Sequence, residues 1–157
     1  MNGPVGADRR RHVFLDKAQP ATYKAAAAWA QEVGDAAEAA GISRALVELV
    51  NLRVSQLNGC AYCLDLHHKL ALEAGESERR IAVLPAWQET DLFTEQERAA
   101  LELAEAITRL LEPVERLYVE DMARAVLGDQ AYSAVAWIAI TMNAFNRISI
   151  TSHHPVR

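Results

Sequence analysis

The sequence predicts an all-α protein folded as one domain. Three observations carry that expectation. Apolar residues recur at helical spacing along nearly the whole chain, the β-branched alternation that marks a strand is missing, and most apolar blocks end at a recognisable start or stop signal. At 157 residues, 51% hydrophobic and 24% charged, the chain has the length and composition to bury one core.

Residues 1–20 read as an irregular N-terminal arm ended by Pro20, residues 21–150 as the helical domain, and residues 151–157 as a C-terminal tail. The first helix is expected over 21–40, rich in alanine, the residue that costs least to order in a helix, and Gly41 stops it. Ser43 is a suitable N-cap for the second helix, where Leu46, Leu49, Val50, Val54 and Leu57 mark a buried face. Asn58-Gly59 breaks it. A third helix should run over 60–74, closed by Gly75, and a short one over 77–84 before Pro85. Thr94 to Glu97 is a capping box opening a helix to about residue 110. Pro113 separates that helix from one over 118–127. Gly128-Asp129 then restarts the chain into a last helix to about residue 148, apolar nearly all round and expected to be buried on several sides, in part against another subunit.

The net charge of −5 gives no general attraction to nucleic acid or to anionic lipid. Arg9-Arg10-Arg11 reads as part of a solvated tail. The N-terminus has no apolar signal region, and the longest apolar stretch, 131–145, is interrupted by Ser133, Thr141 and Asn143. The expected location is the cytoplasm, with neither nucleic acid nor membrane as partner. There a cysteine pair is usually catalytic, redox-sensing or metal-binding rather than a staple.

The chain has two cysteines, Cys60 and Cys63, spaced as CxxC at a helix start, with His67 one turn on. A free thiol with a pKa of about 8.5 is only a few per cent thiolate at neutral pH. A helix N-terminus favours a negative sulfur by about 0.3–2 kcal/mol, whereas two pKa units need about 2.7 kcal/mol. A second contribution is therefore required, and His67 shares a face with Cys63 at i,i+4. Cys60 and Cys63 also share a face, so their sulfurs can approach for a disulfide. His68 points about 100° away around the helix and reads as structural or solvent-facing. The competing reading is metal: Cys60, Cys63, His67 and His68, completed by His153 or His154, offer zinc donors, although a structural zinc usually draws on separated pairs. A thioredoxin-like reading lacks its βαβ context.

Glu48, twelve residues before Cys60, with Cys60-Ala61-Tyr62-Cys63 and His67, resembles the alkylhydroperoxidase AhpD-like branch of the carboxymuconolactone decarboxylase family. The likeness extends to Ser55-Gln56-Leu57-Asn58-Gly59, to Leu84-Pro85-Ala86-Trp87, to Phe93-Thr94 with the run from Glu97 to Glu105, and to Asn143-Ala144-Phe145-Asn146-Arg147. It covers roughly residues 20–150. The resemblance implies an AhpD-like helical bundle that assembles into trimers or hexamers. It implies a peroxidase in which Cys63 attacks the hydroperoxide and becomes a sulfenic acid, Cys60 donates a proton and resolves it to a disulfide, and Glu48 and His67 relay protons. The electron donor would be a dithiol or lipoyl-type group, and no cofactor or resident metal is called for. The chain departs from the best-studied form of the motif at Tyr62, where that form has histidine; a phenol with a pKa of about 10 donates a hydrogen bond but does not relay protons near neutrality.

Read without the resemblance, Glu48 is a solvated helix glutamate, and Ser55 either faces the pocket or bonds back to a helix carbonyl. Asn143, Asn146 and Arg147 read as capping or interface groups. The leading expectation is a thiol peroxidase. A general thiol-disulfide oxidoreductase or redox sensor, a carboxymuconolactone decarboxylase-type enzyme and a zinc-stabilised interaction module stand as alternatives.

Overall fold

The computed structural model describes residues 12–157, and among them every regular element is helical. The arginine cluster 9–11 lies outside the described residues. A single helical turn, α1 (Leu15–Ala18), precedes α2 (Pro20–Ala39). Pro20 therefore opens a helix: it occupies the first turn of α2, where its missing amide proton loses no helical bond. Pro113 does the same for the last helix, which begins there rather than at 118. α3 spans Arg44–Asn58, α4 Ala61–Glu73, α5 Glu78–Val83, α6 Glu95–Arg109 and α7 Pro113–Thr151. A 3₁₀ segment, Leu84–Glu89, follows α5 and takes in Pro85.

The expected caps form: Ser43 Oγ accepts from Leu46 N, and Thr94 and Glu97 satisfy each other's amides. Ser77, expected inside the short helix, caps it instead, its Oγ accepting from Arg80 N. At Gly128 the backbone turns to φ 76° and ψ 161°, which only glycine adopts readily, so the expected restart appears as a break inside α7.

α3 is the central element, packing on α4, α6 and α7, while α6 lies along α7 and α2 covers another part of α7. The α3 face read from the sequence is indeed buried: Leu49, Val50 and Val54 meet Leu101, Leu103 and Ala104 of α6 and Val135 and Ala139 of α7 in one core. Each of these leucines and valines contributes about 1.5–3 kcal/mol by leaving water. The core fixes α3 and α7 as rigid rails, and the polar residues discussed below hang from them.

Candidate active site

The α3–α4 connection delivers the cysteines. Gly59 closes α3 in the left-handed region at φ 68°, and Cys60 N donates back to Ser55 O. Cys60 then caps α4, its sulfur accepting from Cys63 N at 3.3 Å. The helix-start amide therefore serves the Cys60 sulfur. Cys60 and Cys63 are joined in a disulfide with Cα atoms 5.3 Å apart, and both are almost completely buried.

A cavity of about 300 Å³ opens on Cys63. Its walls are mainly apolar, with Val33 from α2, Val47 from α3, Leu66 from α4, and Ile138, Met142 and Phe145 from α7. Cys60 does not line it. Glu48 and His67 do. Glu48 has no exposed surface, so the solvated reading fails for it. One turn earlier on α3, Arg44 reaches Glu48 Oε1 at 2.6 Å as an ion pair, its own side chain largely in solvent. His67 Nδ1 lies 2.6 Å from Glu48 Oε2, and Asn51 Nδ2 donates to the same oxygen at 3.4 Å. When the carboxylate accepts from His67, Nδ1 carries the proton and Nε2 of the neutral ring is the basic atom. The expectation of a Cys63–His67 pairing is thus refined: the recorded bond of His67 is to Glu48, across 19 residues of sequence.

Tyr62 also lines the cavity, partly exposed, and packs edge-on against the His154 ring at 5.3 Å. His154 is held at both nitrogens, Nδ1 to Ser149 Oγ at 3.3 Å and Nε2 to Asp16 Oδ1 at 3.1 Å. Leu15 N donates to Ser152 Oγ nearby. The two ends of the described chain therefore meet beside the CxxC segment. The hydrogen bond from His154 holds the Asp16 carboxyl below its ordinary value of 3.8. On the cavity wall, burial pushes the Tyr23 phenol above 10.0, so it stays protonated at neutral pH.

The remaining candidates are placed differently. His68 faces Glu78 at 3.0 Å on the surface, as its position on the helix suggests. Ser55 neither faces the cavity nor bonds back along its helix: its Oγ accepts from Asn146 Nδ2 at 3.0 Å. Asn58 Nδ2 is shared by Asn143 and Asn146, each at 2.9 Å, so the asparagines of α7 clamp the C-terminal end of α3. Arg147 turns back onto Asn143. Sequence reasoning missed Arg44, although its i,i+4 spacing from Glu48 was a usable signal. Thr141, read from the sequence only as an interruption of an apolar run, also lines the cavity.

The carboxymuconolactone decarboxylase family model matches residues 20–106, more than half of the chain and all of the segment that carries Glu48, the cysteine pair and His67. The chain belongs to the carboxymuconolactone decarboxylase family. Within that family it is similar to the uncharacterised protein YdfG of Bacillus subtilis (strain 168), 42% identical over 111 residues, or 69% of this chain and 74% of YdfG. Alkyl hydroperoxide reductase AhpD of Methylobacterium sp. (strain 4-46) is 46% identical over 41 residues, which are 26% of this chain and 23% of that protein. Among solved structures, a protein of unknown function from Agrobacterium tumefaciens, for which an AhpD antioxidant defence role has been suggested, superimposes with a TM-score of 0.82 at 29% identity, covering 93% of this chain and 97% of the other. The all-α, AhpD-like family fold expected from the sequence is thus the fold observed.

Proposed function

We propose that the protein is a thiol peroxidase that reduces organic hydroperoxides through Cys63 and Cys60. The observation that carries this reading is the cavity, which opens on Cys63 and brings the bonded Glu48–His67 pair to the same walls.

In the proposed cycle His67 Nε2, with Nδ1 held by Glu48, takes the Cys63 thiol proton. The Cys63 thiolate attacks the terminal peroxide oxygen; an S–O bond forms and the O–O bond breaks. Cys60 gives its proton to the departing alkoxide, leaving an alcohol and a Cys63 sulfenic acid. The Cys60 thiolate then attacks Cys63 sulfur. The S–S bond forms, the S–O bond breaks, and the hydroxide leaves as water with the proton held on His67. Two electrons pass from the thiols to the peroxide, and an external dithiol of lipoyl type returns them. The Cys60–Cys63 disulfide is the resting oxidised form of such a pair. The amide of Cys63 that faces Cys60 sulfur favours negative charge there, which suits Cys60 to leave when a dithiol attacks Cys63.

Burial of both sulfurs favours a small peroxide over exchange with disulfides on protein surfaces. A zinc scaffold would draw on histidines that are engaged elsewhere: His67 is bonded to Glu48, His68 to Glu78, and His154 at both nitrogens. No helix among the described residues is long and apolar enough to cross a membrane, and a cytoplasmic setting suits a disulfide that cycles. We also propose a homo-oligomer, trimeric or hexameric. In support, Val114, Leu117, Tyr118 and Met122 form an exposed apolar stripe on the first half of α7.

The deciding experiment follows consumption of cumene hydroperoxide with dithiothreitol as reductant, with mass spectrometry of both cysteines. Turnover that is abolished in Cys63→Ser, and a Cys63 sulfenate trapped in Cys60→Ser, are the expected results. Full turnover in Cys63→Ser would sink the proposal.

A further inference from the structure

The cavity contains a polar group that the proposed cycle leaves unused. Thr141, on α7, is 7% exposed and lines the cavity beside Cys63, yet its hydroxyl has no hydrogen-bond partner among the described residues. A mid-helix threonine can bond back to the carbonyl one turn earlier. Thr108 does so, its Oγ1 donating to Ala104 O at 2.7 Å. Thr141 makes no such bond to Trp137. A buried hydroxyl without a partner destabilises a fold, and valine, of nearly the same shape, would fit that wall at no such cost.

The cavity's other walls include Val33, Val47, Ile138 and Met142. A free hydroxyl that donates thus stands in apolar surroundings. A ligand that satisfies it has an apolar body and a head with an accepting oxygen. An organic hydroperoxide has this head, and so does the alcohol left after its reduction.

We propose that Thr141 is a substrate-contact residue whose hydroxyl donates to the head oxygen of an organic hydroperoxide, or of its alcohol product, in this cavity. The hydroperoxide half rests on the peroxidase reading; the alcohol half does not. The contact makes Thr141 a specificity-determining residue for apolar molecules with a single hydroxyl-bearing head.

The test uses the full chain with Thr141→Val and Thr141→Ser. Turnover of cumene hydroperoxide with dithiothreitol is compared with calorimetric binding of cumyl alcohol to the oxidised protein, and Tm is recorded for each. For Thr141→Val, KM should rise and cumyl alcohol affinity fall by about tenfold, the scale of one lost neutral hydrogen bond. Its Tm should equal or exceed that of the parent, and Thr141→Ser should retain binding. Wild-type binding of cumyl alcohol in Thr141→Val overturns the assignment while leaving a peroxidase in place. A Thr141-dependent alcohol affinity in a protein that consumes no hydroperoxide overturns the peroxidase reading and keeps the contact. Failure of the parent protein to bind cumyl alcohol, or a lowered Tm in Thr141→Val, overturns the contact.

Discussion

Two glutamates, Glu48 and Glu105, are buried in this protein against arginine, and their surroundings differ. Glu105 Oε1 accepts from Arg53 Nε at 2.7 Å and from Trp87 Nε1 at 2.8 Å, and Oε2 meets Arg109 at 3.0 Å. Arg53 is itself nearly buried and also donates to Gln56. The network ties α3 and α6 to the 3₁₀ segment. Glu48 is more deeply buried, but its arginine is mostly in solvent, its closest hydrogen-bond partner is a titratable histidine, and it faces a cavity. A closed set of partners holds a fold together. A carboxylate bonded to a histidine beside an opening and a cysteine is equipped to exchange protons.

Substitution separates the two roles. Glu48→Gln keeps the shape but removes the charge that orients His67. Hydroperoxide turnover should fall by about 10²–10⁴-fold, the usual worth of positioned acid–base catalysis. Tm should move little, because Arg44 returns to water. A Glu48→Gln protein with unchanged turnover would place the proton chemistry elsewhere.

Glu105→Gln should do the reverse. It leaves Arg53 buried without its counter-charge, which typically costs about 3–5 kcal/mol, or roughly 10 °C in Tm for a chain of this size. Turnover measured well below the new Tm should stay within about twofold of the parent. Loss of turnover without loss of stability would erase the distinction between the two sites.

The smallest effect belongs to the half-buried Asp16–His154 contact, which lies beside the cavity but not in it. Because the folded pKa of Asp16 is depressed, its contribution is present above the unfolded value near 3.8 and is lost as pH falls through the folded value. Asp16→Asn should therefore lower Tm slightly at about pH 6, with the difference from the parent shrinking once pH falls below 3.8 and vanishing in stronger acid. Thermal melts across that range measure it. A difference that grows in acid contradicts the assigned sign.

Much of the helical order is legible in the chain itself. Ser43, Gly59, Thr94 and Glu97 act on amides or carbonyls within a few residues, so their effect is written in adjacent letters. Pro20 and Pro113 look like separators in the sequence although they open helices, since proline interrupts a preceding helix and suits a following one equally well. In the site, Cys60, Cys63 and His67 announce themselves by spacing on one helix. Glu48 does not: on α3 it resembles any helix glutamate, and only likeness to a family singles it out.

The sequence by itself determined the helices, their caps, the buried face of α3 and the placing of a cysteine pair at a helix start, because helical hydrogen bonds and side-chain neighbours reach only three or four residues. Tertiary structure decided which side chains meet: Glu48 with His67 across 19 residues, Arg53 with Glu105 across 52, Ser55 with Asn146 across 91. It also decided that the cavity opens on Cys63 and leaves the Thr141 hydroxyl without a partner among the described residues. Those outcomes depend on how α3, α4, α6 and α7 pack, and packing is set by the whole apolar surface at once rather than by any local run of residues.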